Sequence, residues 1–113
     1  MKPDEARLRA CLGGPEWDWL RRRLRHCLAR EKPFPSRCEL TDPDPAQWEA
    51  AAALMGRPAG KPGRALRIRP AELEARLCRA GVCASLREAL EALEGPIPSL
   101  PEAAKRERDT WDT

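Results

Sequence analysis

Residues Arg37–Pro70 read RCELTDPDPAQWEAAAALMGRPAGKPGRALRIRP, and the fold class follows from the order of signals within them. Arg37 to Thr41 alternates weakly, as an edge strand does. Thr41-Asp42-Pro43-Asp44-Pro45 closes that strand and opens a helix. Asp44 suits the N-cap and Pro45 the first helical position. Gln47 stands three residues after the cap, as a capping box requires. Trp48, Ala51, Ala52 and Met55 fall at i, i+3, i+4 and i+7, one apolar stripe. Gly56 stands where a helix ends on a left-handed residue. A proline- and glycine-rich turn follows. In Arg64–Arg69 the apolar Leu66 and Ile68 alternate with Arg67 and Arg69, giving a strand with one buried and one basic face. Two strands alone are marginal and need helices packed on their apolar face.

Helical signals flank this unit on both sides. Leu8, Cys11 and Leu12 mark a short helix over residues 4–12, which Gly13-Gly14-Pro15 breaks. A second helix is expected from Glu16 to Arg30, with Trp17, Leu20, Leu24, Cys27 and Leu28 on one face. Trp19 lies outside that stripe, at the edge of the core. Glu31 to Ser36 holds two prolines and reads as a linker. Pro70 opens a helix with Leu73, Leu77 and Ala80 inward, stopped by Gly81. Ser85-Leu86-Arg87-Glu88 reads as a capping box for a helix burying Leu86, Ala89, Leu90 and Leu93, stopped by Gly95-Pro96. Ser99-Leu100-Pro101-Glu102 begins a further, highly charged helical pattern running to Thr113. The expectation is one domain over residues 1–113, α+β and predominantly helical, with about six helices and a two-stranded sheet. Within it, residues 1–32 are helical, residues 37–69 form the strand–helix–strand unit and residues 70–113 are helical again.

A chain of 113 residues can bury roughly two-thirds of its unfolded surface, enough for one modest core. Charged residues make up 35%, and no segment approaches the ~20 apolar residues of a membrane helix. The net charge of +3 is unevenly spread. Residues 1–37 carry 10 Lys/Arg against 5 Asp/Glu, residues 38–63 carry 2 against 4, and residues 64–113 carry 9 against 9. The basic excess therefore lies in the first third. The five cysteines are odd in number and irregular in spacing, and Met1-Lys2-Pro3-Asp4-Glu5 is no signal peptide. A cytoplasmic protein with free thiols is expected.

Catalytic constellations are hard to assemble from these residues. Gly56 to Lys61 imitates a phosphate loop, but three residues separate Gly56 from Gly60 and Pro62 stands where Ser or Thr would hold magnesium. His26 and Cys27 point about 100° apart on a helix. Cys78 and Cys83 are five apart with Gly81 between them, so no metal or other cofactor is expected. The single histidine leaves carboxylates as the acid–base candidates near neutrality. The nearest pair, Asp42 and Asp44, is accounted for by turn and cap. The expectation is that the chain is not itself an enzyme. Its candidate chemistry is contact with phosphate: Arg21, Arg22, Arg23 and Arg25 as a ridge on the second helix, with Arg67 and Arg69 on the second strand. A helix–turn–helix reading of 70–94 fails on sign, because Glu88, Glu91 and Glu94 make its second helix acidic.

An ordered set of segments carries a resemblance over nearly the whole chain. It comprises Trp17-x-Trp19-Leu20 before the arginines, Leu40-Thr41-Asp42-Pro43, Leu54-Met55-Gly56-Arg57-Pro58, Gly63-Arg64-Ala65-Leu66-Arg67-Ile68 and Ala92-Leu93-Glu94-Gly95-Pro96. The set resembles the N-terminal domain of the JetD-like nuclease-subunit family of Wadjet plasmid-defence systems. That resemblance implies a longer parent with a C-terminal Toprim-type domain, whose metal-bound carboxylates cut DNA and have no counterpart in these residues. It implies a non-catalytic accessory role, positioning double-stranded DNA, the parent's own Toprim domain, a second copy or the SMC-like complex subunits. The alternative is a protein–protein interaction domain that does not bind nucleic acid, anchored by Trp111 near the end of the last helical pattern.

Overall fold

A computed structural model of the protein describes residues 2–56 and 65–98. Five α-helices and two short strands follow one another: α1 (Glu5–Leu12), α2 (Asp18–Ala29), β1 (Cys38–Leu40), α3 (Pro45–Met55), β2 (Leu66–Ile68), α4 (Pro70–Arg79) and α5 (Leu86–Glu94). A single 3₁₀ turn, Pro15–Trp17, precedes α2. The domain is thus α+β and mostly helical. Five of the six expected helices lie within the described residues, and the pattern from Ser99 onward lies outside them.

The strand–helix–strand unit forms as its residues dictate. β1 and β2 pair antiparallel, Cys38 opposite Ile68, Glu39 opposite Arg67 and Leu40 opposite Leu66. Cys38, Leu66 and Ile68 are buried, while Glu39 and Arg67 face out and form an ion pair at 2.8 Å. Between the strands, Asp44 accepts from Gln47 N at 2.8 Å, and the Gln47 side chain accepts from Asp44 N at 2.9 Å. Both arms of the capping box are therefore closed. Gly56 ends α3 at φ +67°, a backbone setting that strains any residue with a Cβ.

The helices differ from expectation at three points, the first being that Ala80, expected inward, is exposed at the C-cap of α4. The sequence pattern starts the second helix at Glu16, but Pro15–Trp17 winds as a 3₁₀ turn and α2 starts only at Asp18, with no side-chain cap at Trp17. At the start of α5 the Ser85 hydroxyl accepts from Glu88 N at 3.2 Å, as expected of a cap. The Glu88 carboxylate, however, reaches Ala84 N at 3.1 Å rather than closing the box on Ser85. Glu74 of α4 takes a further free donor of that helix start, accepting from Leu86 N at 2.9 Å.

One apolar cluster holds the elements together. α5 lies against α1 and α2, α2 also touches β1, and the 3₁₀ turn joins α2 to α3. Leu8 and Leu12 of α1, Leu20 and Leu24 of α2, Ile68, Leu73 and Leu77 of β2 and α4, and Leu86 and Leu90 of α5 are all buried in it. Each contributes about 1.5–3 kcal/mol of transfer free energy. Asp4 N donates to Val82 O at 2.8 Å, tying the start of α1 to the α4–α5 turn. Among the described residues no helix is long and apolar enough to cross a membrane.

Candidate nucleic-acid interface

The arginines of α2 do not form one ridge. α2 passes the C-terminal ends of α1 and α5, where the last carbonyls of each helix have no partner within it. Arg21 fills that role for α1: its Nη1 donates to Leu12 O, and to Gly14 O at 2.8 Å. Its Nε faces Glu94 at 3.4 Å and its Nη2 faces Asp18 at 3.8 Å, and the residue is only 8% exposed. Arg25 holds the end of α5 differently, donating to Leu90 O at 3.3 Å within the helix and to Gly95 O at 3.0 Å and Pro96 O at 3.3 Å beyond it. Arg25 Nε also lies 3.6 Å from Glu94. Arg23 is half-buried, close enough to Cys38 for its charge to favour the thiolate there. Arg22 alone projects into solvent, and it pairs with Asp18 at 2.7 Å. Arg30, at the C-cap of α2, is 6% exposed and donates to Nδ1 of His26 at 2.6 Å. Phosphate contact expected of Arg21 and Arg25 meets donors already satisfied by the protein's own carbonyls.

The end of the sheet has a different character. The register that sets Cys38 opposite Ile68 sets Arg37 opposite Arg69 one step further along. Both arginines are exposed, and with Ser36 they line one cleft of about 270 Å³. Like charges facing each other across a ladder are destabilising. Among the described residues neither guanidinium has a hydrogen bond or ion pair, while the neighbouring Arg67 is engaged by Glu39. The outer face of the sheet thus presents three arginines against one glutamate. The alternation of the second strand points to Arg67 and Arg69. It does not point to Arg37, although that residue stands as far before β1 as Arg69 stands after β2. Only the pairing register makes them neighbours.

The buried thiols Cys38 and Cys83 are both shifted upward. Burial pushes the Cys38 thiol up to about 11, against the opposing charge of Arg23. Burial, with Cys78 and Glu88 adding to it, pushes Cys83 up to about 11 as well. A thiol so raised is protonated at neutral pH and is a poor nucleophile. Among the described residues no three His, Cys, Asp or Glu side chains are placed to share a metal ion. A recess of about 230 Å³ between α3 and β2 is lined mostly by carbon, from Trp48, Ala51, Met55 and Ile68 among others. Trp111 lies outside the described residues.

Comparison with curated proteins and with solved structures finds no match. A protein-family model does match, over residues 35–113, more than half of the chain. The matched span takes in both strands, α3, α4, α5 and the sheet-end arginines, and begins after α2. On that match, the chain belongs to the family described as "Protein of unknown function N-terminus (DUF3323)".

Proposed function

We propose that this domain is a non-catalytic module that holds the phosphate backbone of double-stranded DNA through the sheet-end arginines. The observation that carries the reading is the facing pair Arg37 and Arg69, two guanidiniums without an acceptor among the described residues, beside the Ser36 hydroxyl. Bridging phosphate oxygens would relieve their mutual repulsion, and the forked donors of arginine match that geometry. Arg67 extends the contact once phosphate competes with Glu39, and exposed Arg22 flanks it at most. Such contacts position a protein on a duplex without reading its sequence.

Following the sequence resemblance, the wider role we propose is that of an accessory domain to a Toprim-type nuclease subunit. It would work in the cytoplasm within an SMC-like plasmid-defence assembly, and the cutting carboxylates would lie in the Toprim domain. The test is fluorescence anisotropy of a labelled duplex of about 30 base pairs, titrated with the protein and with two double variants. Arg37→Ala/Arg69→Ala should weaken binding at least about tenfold, whatever the duplex sequence. Arg22→Ala/Arg23→Ala should leave it within about threefold. The reverse ranking would return the contact to α2, and no binding at low salt would end the DNA reading.

A further inference from the structure

A second surface lies in the groove between α1 and α3. α3 carries a single charged residue, Glu49, in Pro45–Met55. Ala51 and Met55 point into the core, yet Ala46 and Ala53 are exposed and Ala50 and Leu54 half-exposed on other sides. A helix apolar all round is normally covered all round. Two adjoining recesses, about 460 and 360 Å³, run along this face and share Cys11 and Leu54 as their common floor. The first is otherwise lined largely by alanines and Trp17, with Glu16 beside them. The second opens among Arg7, Arg76 and Arg79.

We infer that this groove docks a short amphipathic helix from a partner protein, its small aliphatic face on Leu54 and its acidic residues over Arg7, Arg76 and Arg79. The charge at that end decides the chemistry. Arg79 has no acceptor among the described residues. Arg7 gives one nitrogen to Ala80 O at 2.9 Å and keeps its others. Among the described residues Arg76 faces Glu72, at 3.7 Å. Three guanidiniums against one carboxylate leave a basic lip on an apolar trough. Alanines along the trough let another helix approach to the ~8 Å of close helix packing. α3 lines the trough through Ala50, Ala53 and Leu54, a stretch of about 6 Å of the helix. A nucleic acid would leave the apolar floor unfilled. A second copy of this chain would bring one Glu16 to three arginines. This inference does not rest on the DNA reading, which uses the separate cleft of Ser36, Arg37 and Arg69.

The probe is a fluorescein-labelled peptide of about 15 residues, with leucine and alanine at i, i+3, i+4 and i+7 and three glutamates in its last turn. Anisotropy should show saturable binding to the 113-residue protein. Ala53→Glu, an exposed change that leaves the core intact, should weaken it at least about tenfold, as should Leu54→Glu. Arg76→Glu/Arg79→Glu should do the same and should be rescued by the peptide with lysines in place of its glutamates. Duplex binding should be unchanged by Ala53→Glu. The inference is overturned if the peptide fails to bind at roughly 100 μM, or if binding ignores the charge reversal. It is equally overturned if the DNA duplex displaces the peptide, or if Ala53→Glu instead abolishes a self-association seen by sedimentation.

Discussion

At Arg21 a guanidinium in the core donates to two backbone carbonyls and faces two carboxylates. Removing it takes the donor from the buried Leu12 carbonyl, while Gly14 O keeps its bond from Trp17 N at 3.1 Å. A lost hydrogen bond to a charged group costs about 1.5–3 kcal/mol. Glu94 is a third exposed, so its share is about 1 kcal/mol or less. Arg21→Ala should therefore destabilise the domain by about 2–4 kcal/mol in urea unfolding, whereas Arg22→Ala, 69% exposed at its side chain, should change it by under about 0.5. Equal effects would refute the division of α2 into internal and outward arginines. The thiols divide in the same way. Cys78 is exposed and should react quickly with a disulfide reagent, while Cys27, Cys38 and Cys83 should wait for unfolding. Cys38 and Cys83 have folded pKa values near 11 against an ordinary 9.0. Below pH 9 both states keep the proton and stability is full. Between pH 9 and 11 the unfolded chain ionises first, so stability falls. Denaturation curves across that window should show the fall, and Cys83→Ala should make it shallower even though the variant is weaker at neutral pH.

Among the elements, α3 is the most legible, because every signal that defines it is local. Asp44, Pro45, Gln47 and Gly56 act on backbone groups within four residues of themselves, and each does what its chemistry allows. Asp44→Ala should cost about 1 kcal/mol, since it removes the side-chain acceptor for Gln47 N while the arm from the backbone N–H of residue 44 to Gln47 remains. A loss of Tm below a degree would mean that packing alone holds the helix start. The strands are legible through the alternation of Leu66, Arg67 and Ile68, although each is only three residues long. What stays hidden is set by distance in the chain. Arg21 and Glu94 are 73 residues apart, and Arg25 and Gly95 are 70 apart. Helical periodicity shows which face an arginine occupies but not which carbonyl will stand above that face. The start of α5 makes the same point. Glu88 reads as the second arm of a box, yet its carboxylate bonds Ala84 N while Glu74, from the preceding helix, takes Leu86 N. The Arg37–Arg69 pair needs the register, which neither strand carries alone.

For the whole molecule, the placement of charge matters more than its sum. The sequence puts an excess of five positive charges, 10 minus 5, in residues 1–37. Of those basic residues, Arg21, Arg25 and Arg30 are turned onto carbonyls, carboxylates or His26. On the DNA reading the contact falls to the outer face of the sheet, where Arg37 of that segment meets Arg67 and Arg69, and this fixes a number. If Arg37, Arg67 and Arg69 each neutralise one phosphate, log affinity should fall with log salt at a slope of roughly −2.7. Between 50 and 200 mM salt the affinity should then drop about 40-fold. Arg37→Ala/Arg69→Ala should flatten the slope to roughly −0.9, because only one contact remains. A slope several units steeper in the unaltered protein would require arginines beyond the sheet end, and the exposed Arg7 and Arg79 would be the next to change. A slope near zero with binding intact would mean that the contact is not to phosphate at all. The slope thus counts the arginines at work without reference to any partner, which makes it the sharper measure of how this surface is used.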